Sequence, residues 1–257
     1  MTQYYYELDC SAVMCYFTIK INDVEIFSLN VEGQIASDIP INNGILEKGE
    51  QIIEITMYPL KGEKELHKEA YVRYKVIEFD VSSGDFKYLN QFQEHQTIPV
   101  KKGIPVIKNS SIFNANVSYK LDAWQNSKNL KDLNIDLKKE IVSRYNEIIQ
   151  IINEEQYDKL KKLLKMKFDN LAICMYLNKN EAQQKIDNLI DDFKSGFKPQ
   201  KLTGTEVLEY SAKNKLVCLK RLDGKNALKL INQKTHEELE LMMYFYMPQG
   251  KTDFEII

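Results

Sequence analysis

The side chains most able to do chemistry are thinly and separately placed in this 257-residue chain. Its three histidines, His67, His95 and His236, stand in the polar stretches KELHKEA, FQEHQT and KTHEEL. No two share a metal spacing, and His236-Glu237-Glu238 lacks the second histidine that a zinc-protease helix needs. They read as exposed or capping residues. The four cysteines, Cys10, Cys15, Cys174 and Cys218, lie within or beside apolar segments and lack the spacing of a metal knuckle. They read as buried free thiols of a reducing compartment. Residues 248–252, PQGKT, look like the end of a phosphate loop, but that loop needs a glycine where this chain has Phe245. The stretch DVSSGD (80–85) sets two aspartates around a turn and offers too few oxygens to hold calcium. No catalytic residue, metal ligand or cofactor is assigned.

Charge narrows the partners. Residues 1–125 hold 12 lysines and arginines against 17 acids, and the remainder 23 against 20. Neither half has the basic footprint of a nucleic-acid binder. Only Arg73, Arg144 and Arg221 are arginines, so a site built on several guanidinium forks is not expected. The lysines at 159, 161, 162, 165 and 167 read as the polar side of an amphipathic helix. Most such faces are simply solvated; the functional reading is docking to an acidic partner through Lys159, Lys162 and Lys165. Trp124, the only tryptophan, joins that partner-binding set, although a packing role at a domain boundary is the commoner use of such a residue.

The elements that must position these residues change character along the chain. Over residues 1–125 apolar and polar residues alternate, as in half-buried strands. Val13, Cys15, Phe17, Ile19 and Ile21 fall on one face, and Asn22-Asp23 signals a hairpin turn. Ile53, Ile55 and Met57, then Val72, Tyr74 and Val76, then Phe113, Ala115, Val117, Tyr119 and Leu121 continue the pattern. Strands without intervening helix imply an antiparallel β-sandwich over residues 1–125. After a polar boundary the period becomes 3.6. Ile141, Tyr145, Ile148 and Ile152 share one helical face, and Leu160, Leu163, Leu164 and Phe168 share a second. A third helix takes Asn180 as N-cap, Gln183 at N3 and Gly196 as C′ residue. Four strands follow, TEVLEYSA, KLVCLKRL, ALKLIN and ELELMMYFYMP, with Asp223-Gly224 as a hairpin turn. Residues 135–257 therefore form an α+β domain. If that domain encloses a pocket, the alternative to a binding protein is a small-molecule binder or an enzyme, and Glu206, Glu209, Tyr210 and Asp223 come from strands or turns able to line it.

Several segments resemble known families. FTIKINDVEIFSL followed by PINNGILEKGEQIIEITMYPL resembles a pattern of jelly-roll or immunoglobulin-like sandwiches. There a leucine, a glycine and a hydrophobic residue lead into a strand, and Leu46, Gly49 and Ile53 take those places. Gln51 stands where many such domains have asparagine, which weakens a sugar-binding version. RYNEIIQIINEEQYDKLKKLL with the strands after it resembles the helix-then-sheet cone of nuclear-transport-factor-2-like proteins. The two-part chain, its lack of a catalytic set and the ending YFYMPQGKTDFEII are similar to immunity-type proteins encoded beside bacterial contact-dependent or type VI secreted toxins. That resemblance implies a cytoplasmic protein that neutralises a cognate toxin by binding it, without a cofactor. MTQYYYELDC has no signal-peptide pattern, and no apolar run is long enough to span a membrane.

Overall fold

The computed structural model describes residues 1–257, the side chain of Gln93 excepted. It is mostly antiparallel sheet with three α-helices, and its contacts divide it into two units. One comprises Met1–Leu121 with Cys174–Tyr176, the other Asp122–Ile173 with Leu177–Ile257.

Six strands build the first unit: β1 (Tyr4–Ile21), β2 (Val24–Pro40), β3 (Gly49–Tyr58), β4 (Tyr71–Asp80), β5 (Lys87–Gln96) and β6 (Ile107–Ala115). They run in the order β5-β4-β1-β3-β6, and β2 pairs with β1. One edge of β1 is shared, with residues 4–13 pairing β4 and residues 16–21 pairing β3. Between them Met14 takes φ +47 at a β-bulge. An extra residue moves side-chain alternation by one place. Tyr6, Leu8, Cys10 and Ala12 are therefore buried before the bulge, and Cys15, Phe17, Ile19 and Ile21 after it. The unbroken alternation expected from Val13 onward fails there, and Val13 is only half-buried. Ile53, Ile55 and Met57, Val72, Tyr74 and Val76, and Phe113 and Ala115 join the same core.

Two turns hold this unit through side chains. Asn22 and Asp23 both have positive φ, as a two-residue hairpin requires. Gln51 is buried and donates to the carbonyls of Glu47 and Gly49, each at 3.0 Å, while accepting from Asn22 Nδ2 at 2.8 Å. Gly49 has φ +125, a conformation that glycine supplies cheaply. Asn42 is fully buried: its Oδ1 accepts the Tyr6 N–H at 2.6 Å, and its Nδ2 donates to the carbonyls of Tyr4 and Cys174 at 3.1 and 3.0 Å.

The second unit carries α1 (Leu137–Asn153), α2 (Tyr157–Cys174) and α3 (Lys179–Lys194). They precede β7 (Phe197–Pro199), β8 (Val207–Ser211), β9 (Leu216–Lys220), β10 (Leu228–Asn232), β11 (Glu238–Leu241), β12 (Phe245–Tyr246) and β13 (Glu255–Ile256). One small sheet has the order β11-β10-β7 and another β13-β12-β9-β8. ELELMMYFYMP, expected as one strand, is thus split between two sheets. The Asp223-Gly224 turn closes with Gly224 N–H donating to Arg221 O at 2.9 Å, but only an isolated bridge, Lys220 to Asn226, follows it. The α1 residues Ile141, Tyr145, Ile148 and Ile152 are all buried. The capping box of α3 lies two residues earlier than expected. Asn178 is the N-cap and Glu181 occupies N3, while Gly196 follows the C-cap with φ +117. Glutamate answers the N-cap N–H more strongly than Gln183 could two residues later. Among the described residues no helix is long and apolar enough to cross a membrane.

Candidate functional site

The α2 sequence YDKLKKLLKMKFDNLAIC sets apolar residues and lysines on interleaved 3.6-residue rows, so its lysines do not share one environment. Lys161, Lys162 and Lys165 meet Lys179 and Ile186 of α3 around a shallow groove of about 410 Å³, with Phe168 in its lining. Lys161 donates to Asp187 Oδ1 at 2.8 Å, and that bond raises the lysine pKa and lowers the aspartate's. Lys165 is paired with Asp169 on its own helix. Among the described residues, Lys162 and Lys179 have no carboxylate within ion-pair distance. Lys159 lies outside the groove and pairs with Glu147 of α1 at 3.1 Å. Of the three lysines singled out in the sequence, two therefore line one surface and the third does not.

Lys167 departs from the expected polar face. It is half-buried and lines a separate cleft of about 380 Å³ with Leu164 and Phe168 of α2, Leu189 of α3, and Leu241 and Met243. Burial pushes its ammonium down to about 8 from the usual 10.5. Position 167 follows Leu160 and Leu164 on one helical row, and that spacing was the available signal that this lysine sits on an apolar stripe.

Trp124 is 8% exposed and opens a short 3-10 turn closed by Ser127, whose Oγ donates to the Trp124 carbonyl at 2.8 Å. Little of its ring remains for a partner, so the partner-binding set contracts to lysines.

The four residues suggested for a pocket do not converge. Glu206 is buried and accepts from Thr203 N at 2.7 Å, Thr203 Oγ1 at 2.9 Å and Gly204 N at 2.9 Å. Burial alone would raise its pKa, but these donors outweigh burial and hold it below the usual value. Glu209 and Tyr210 are neighbours on β8 and so face opposite sides of the sheet. Lys131 Nζ lies 5.1 Å from the Tyr210 ring centroid. Asp223 accepts from Arg221 Nη2 and the Lys225 N–H, each at 3.0 Å, within its own turn. None of the four lines either lysine concavity.

In the first unit a concavity of about 570 Å³ is lined by Met14, Leu60, Glu65, His67, Lys101 and Lys102 among others. His67 accepts the Glu69 N–H on Nδ1 at 3.2 Å. His95 packs on Tyr74 with centroids 5.4 Å apart, and burial lowers its pKa, so it is less exposed than its polar neighbours implied. All four cysteines are buried. Burial pushes the thiols of Cys10, Cys15 and Cys174 up to about 12. No cluster of three or more metal-ligating side chains occurs among the described residues.

Comparison with protein-family models, with curated proteins and with solved structures finds no match.

Proposed function

We propose that this chain is a protein-binding immunity protein that neutralises a cognate bacterial toxin, of the contact-dependent or type VI class, by direct contact in the cytoplasm. The groove between α2 and α3 carries the reading. Four lysines line it against one acid, Asp169, and two of them, Lys162 and Lys179, lack an acidic partner among the described residues. Phe168 and Ile186 add apolar surface to the same lining. An acidic loop of a partner protein complements that arrangement. The lysines would speed and orient its approach, while the apolar side chains would supply desolvated contact.

The same reading takes the first unit as a jelly-roll or immunoglobulin-like sandwich and the second as a nuclear-transport-factor-2-like cone. Support for the sandwich comes from bulged β1, which feeds two arms whose members Tyr74 on β4 and Asn109 on β6 hydrogen-bond at 2.6 Å. Support for the cone comes from a hydrogen bond that ties the start of β10 to β9, from the N–H of Ala227, the residue before β10, to Leu219 O at 3.1 Å.

Co-expression with the toxin domain of the adjacent gene tests the function. A complex with roughly nanomolar Kd is expected, and failure of the two to co-purify would overturn the reading. A second reading, a small-molecule site in the second unit, is favoured by the cleft at Lys167.

A further inference from the structure

We propose that the cleft at Lys167 binds a small amphipathic carboxylate, with Lys167 pairing the carboxylate and the cleft walls receiving the apolar part. The inference rests on the small-molecule reading of the second unit and names the ligand class for it.

The walls come from three segments. Leu164 and Phe168 stand on α2, Leu189 on α3, and Leu241 and Met243 at and beyond the end of β11. At about 380 Å³ the cleft falls within the range of small-ligand pockets, roughly 300–1,000 Å³. Against those walls stands one half-buried ammonium, and among the described residues no carboxylate lies within ion-pair distance of it. Taking a charge partly out of water without a partner is unfavourable, and an anion entering the cleft relieves that cost.

The other charges facing Lys167 are consistent with an anion. From α3 come Lys185, which has no acidic partner among the described residues, and Asp192, which is exposed. From β11 comes Glu240, already engaged by Lys225 at 3.3 Å, Arg221 at 3.4 Å and the Asn226 N–H at 3.2 Å. Its charge is thus already answered by groups that do not line the cleft. A cationic ligand would meet Lys167 and Lys185. A phosphate ester favours an arginine fork or several convergent N–H donors, and no arginine lines the cleft. A neutral ligand would bury Lys167 further without pairing it. The lowered pKa of Lys167 reflects the same unpaired burial, and a bound carboxylate should move it back upward.

Calorimetric titration of the full chain with octanoate, octanol and octylamine at about pH 7 tests the proposal, where Lys167 carries its charge. Octanoate is expected to bind about tenfold or more tighter than octanol, and Lys167→Met to remove that preference. As a readout independent of the variant's folding, the dimethyl-lysine NMR resonance of Lys167 in reductively methylated protein should titrate at higher pH when octanoate is present. Equal binding of octanoate and octanol, or a preference unchanged in Lys167→Met, would overturn the carboxylate assignment while leaving a small-molecule site standing. Absence of binding by all three probes would overturn both the assignment and the cleft as a site for ligands of this size.

Discussion

The phenol of Tyr145 donates to the carbonyl of Met243 at 3.1 Å and accepts the N–H of Leu219 at 3.1 Å. One buried side chain of α1 thereby satisfies a backbone group of β9 and one of the connection between β11 and β12. Burial holds the phenol neutral by raising its pKa. Tyr145→Phe would keep the ring contact with Phe245, whose centroid lies 5.4 Å away, and strand both backbone groups. Each unsatisfied buried group costs about 1–3 kcal/mol. Urea unfolding should show a loss of about 2–4 kcal/mol with little change in m.

Gly44 meets a steric limit of its own. A Cβ there would lie 2.6 Å from Ile21 Cβ and 2.9 Å from Ile26 Cδ1. Ile21 is fully buried and cannot retreat. Gly44→Ala should destabilise the protein by about 1–3 kcal/mol, read from the denaturation midpoint.

Lys167 gives a stability dependence with a defined sign. Its folded pKa, about 8, lies below the usual 10.5, so the folded state binds fewer protons between those values. The contribution of Lys167 to stability should therefore rise with pH across that window, and the cost of the buried charge is fully present below it. It is read as the difference between the protein and Lys167→Met, because the raised thiols of Cys10, Cys15 and Cys174 act in the opposite direction. Lys167→Met should remove this rise, and should stabilise the protein at pH 7 by roughly 1–3 kcal/mol. Paired urea titrations at about pH 7 and about pH 10 check both statements.

Cysteine reactivity should follow burial. With the thiols of Cys10, Cys15 and Cys174 pushed up to about 12, a neutral thiol reagent should label them slowly in the folded protein and readily in denaturant. Rapid native labelling of any of the three, mapped by mass spectrometry, would contradict the packing described.

Much of the secondary structure was legible because burial imposes a period on the residue types. Ile141, Tyr145, Ile148 and Ile152 announce a helix face, and Ile53, Ile55 and Met57 a strand face. The bulge at Met14 was not legible. It depends on β1 exchanging one partner strand for another, a long-range event that leaves no local mark beyond an alternation failing at Val13. KYLNQFQEHQ forms β5 although its many polar side chains hide the pattern. At the site, the lysines of α2 were visible by type, but their separation into a groove, a pair with Glu147 and a cleft depends on what α1 and α3 bring against them. Lys179 was missed because its role comes from α3 packing beside α2.

The claim that α2 and α3 present a docking surface for an acidic partner is tested most directly by calorimetry with the toxin domain of the adjacent gene. The protein would be compared with the Lys162→Glu, Lys179→Glu double variant and with Lys48→Glu, an exposed lysine of the first unit. The double variant should lose affinity by about 100-fold or more, and Lys48→Glu by less than about threefold. Unchanged affinity in the double variant, with the complex still formed, would contradict it.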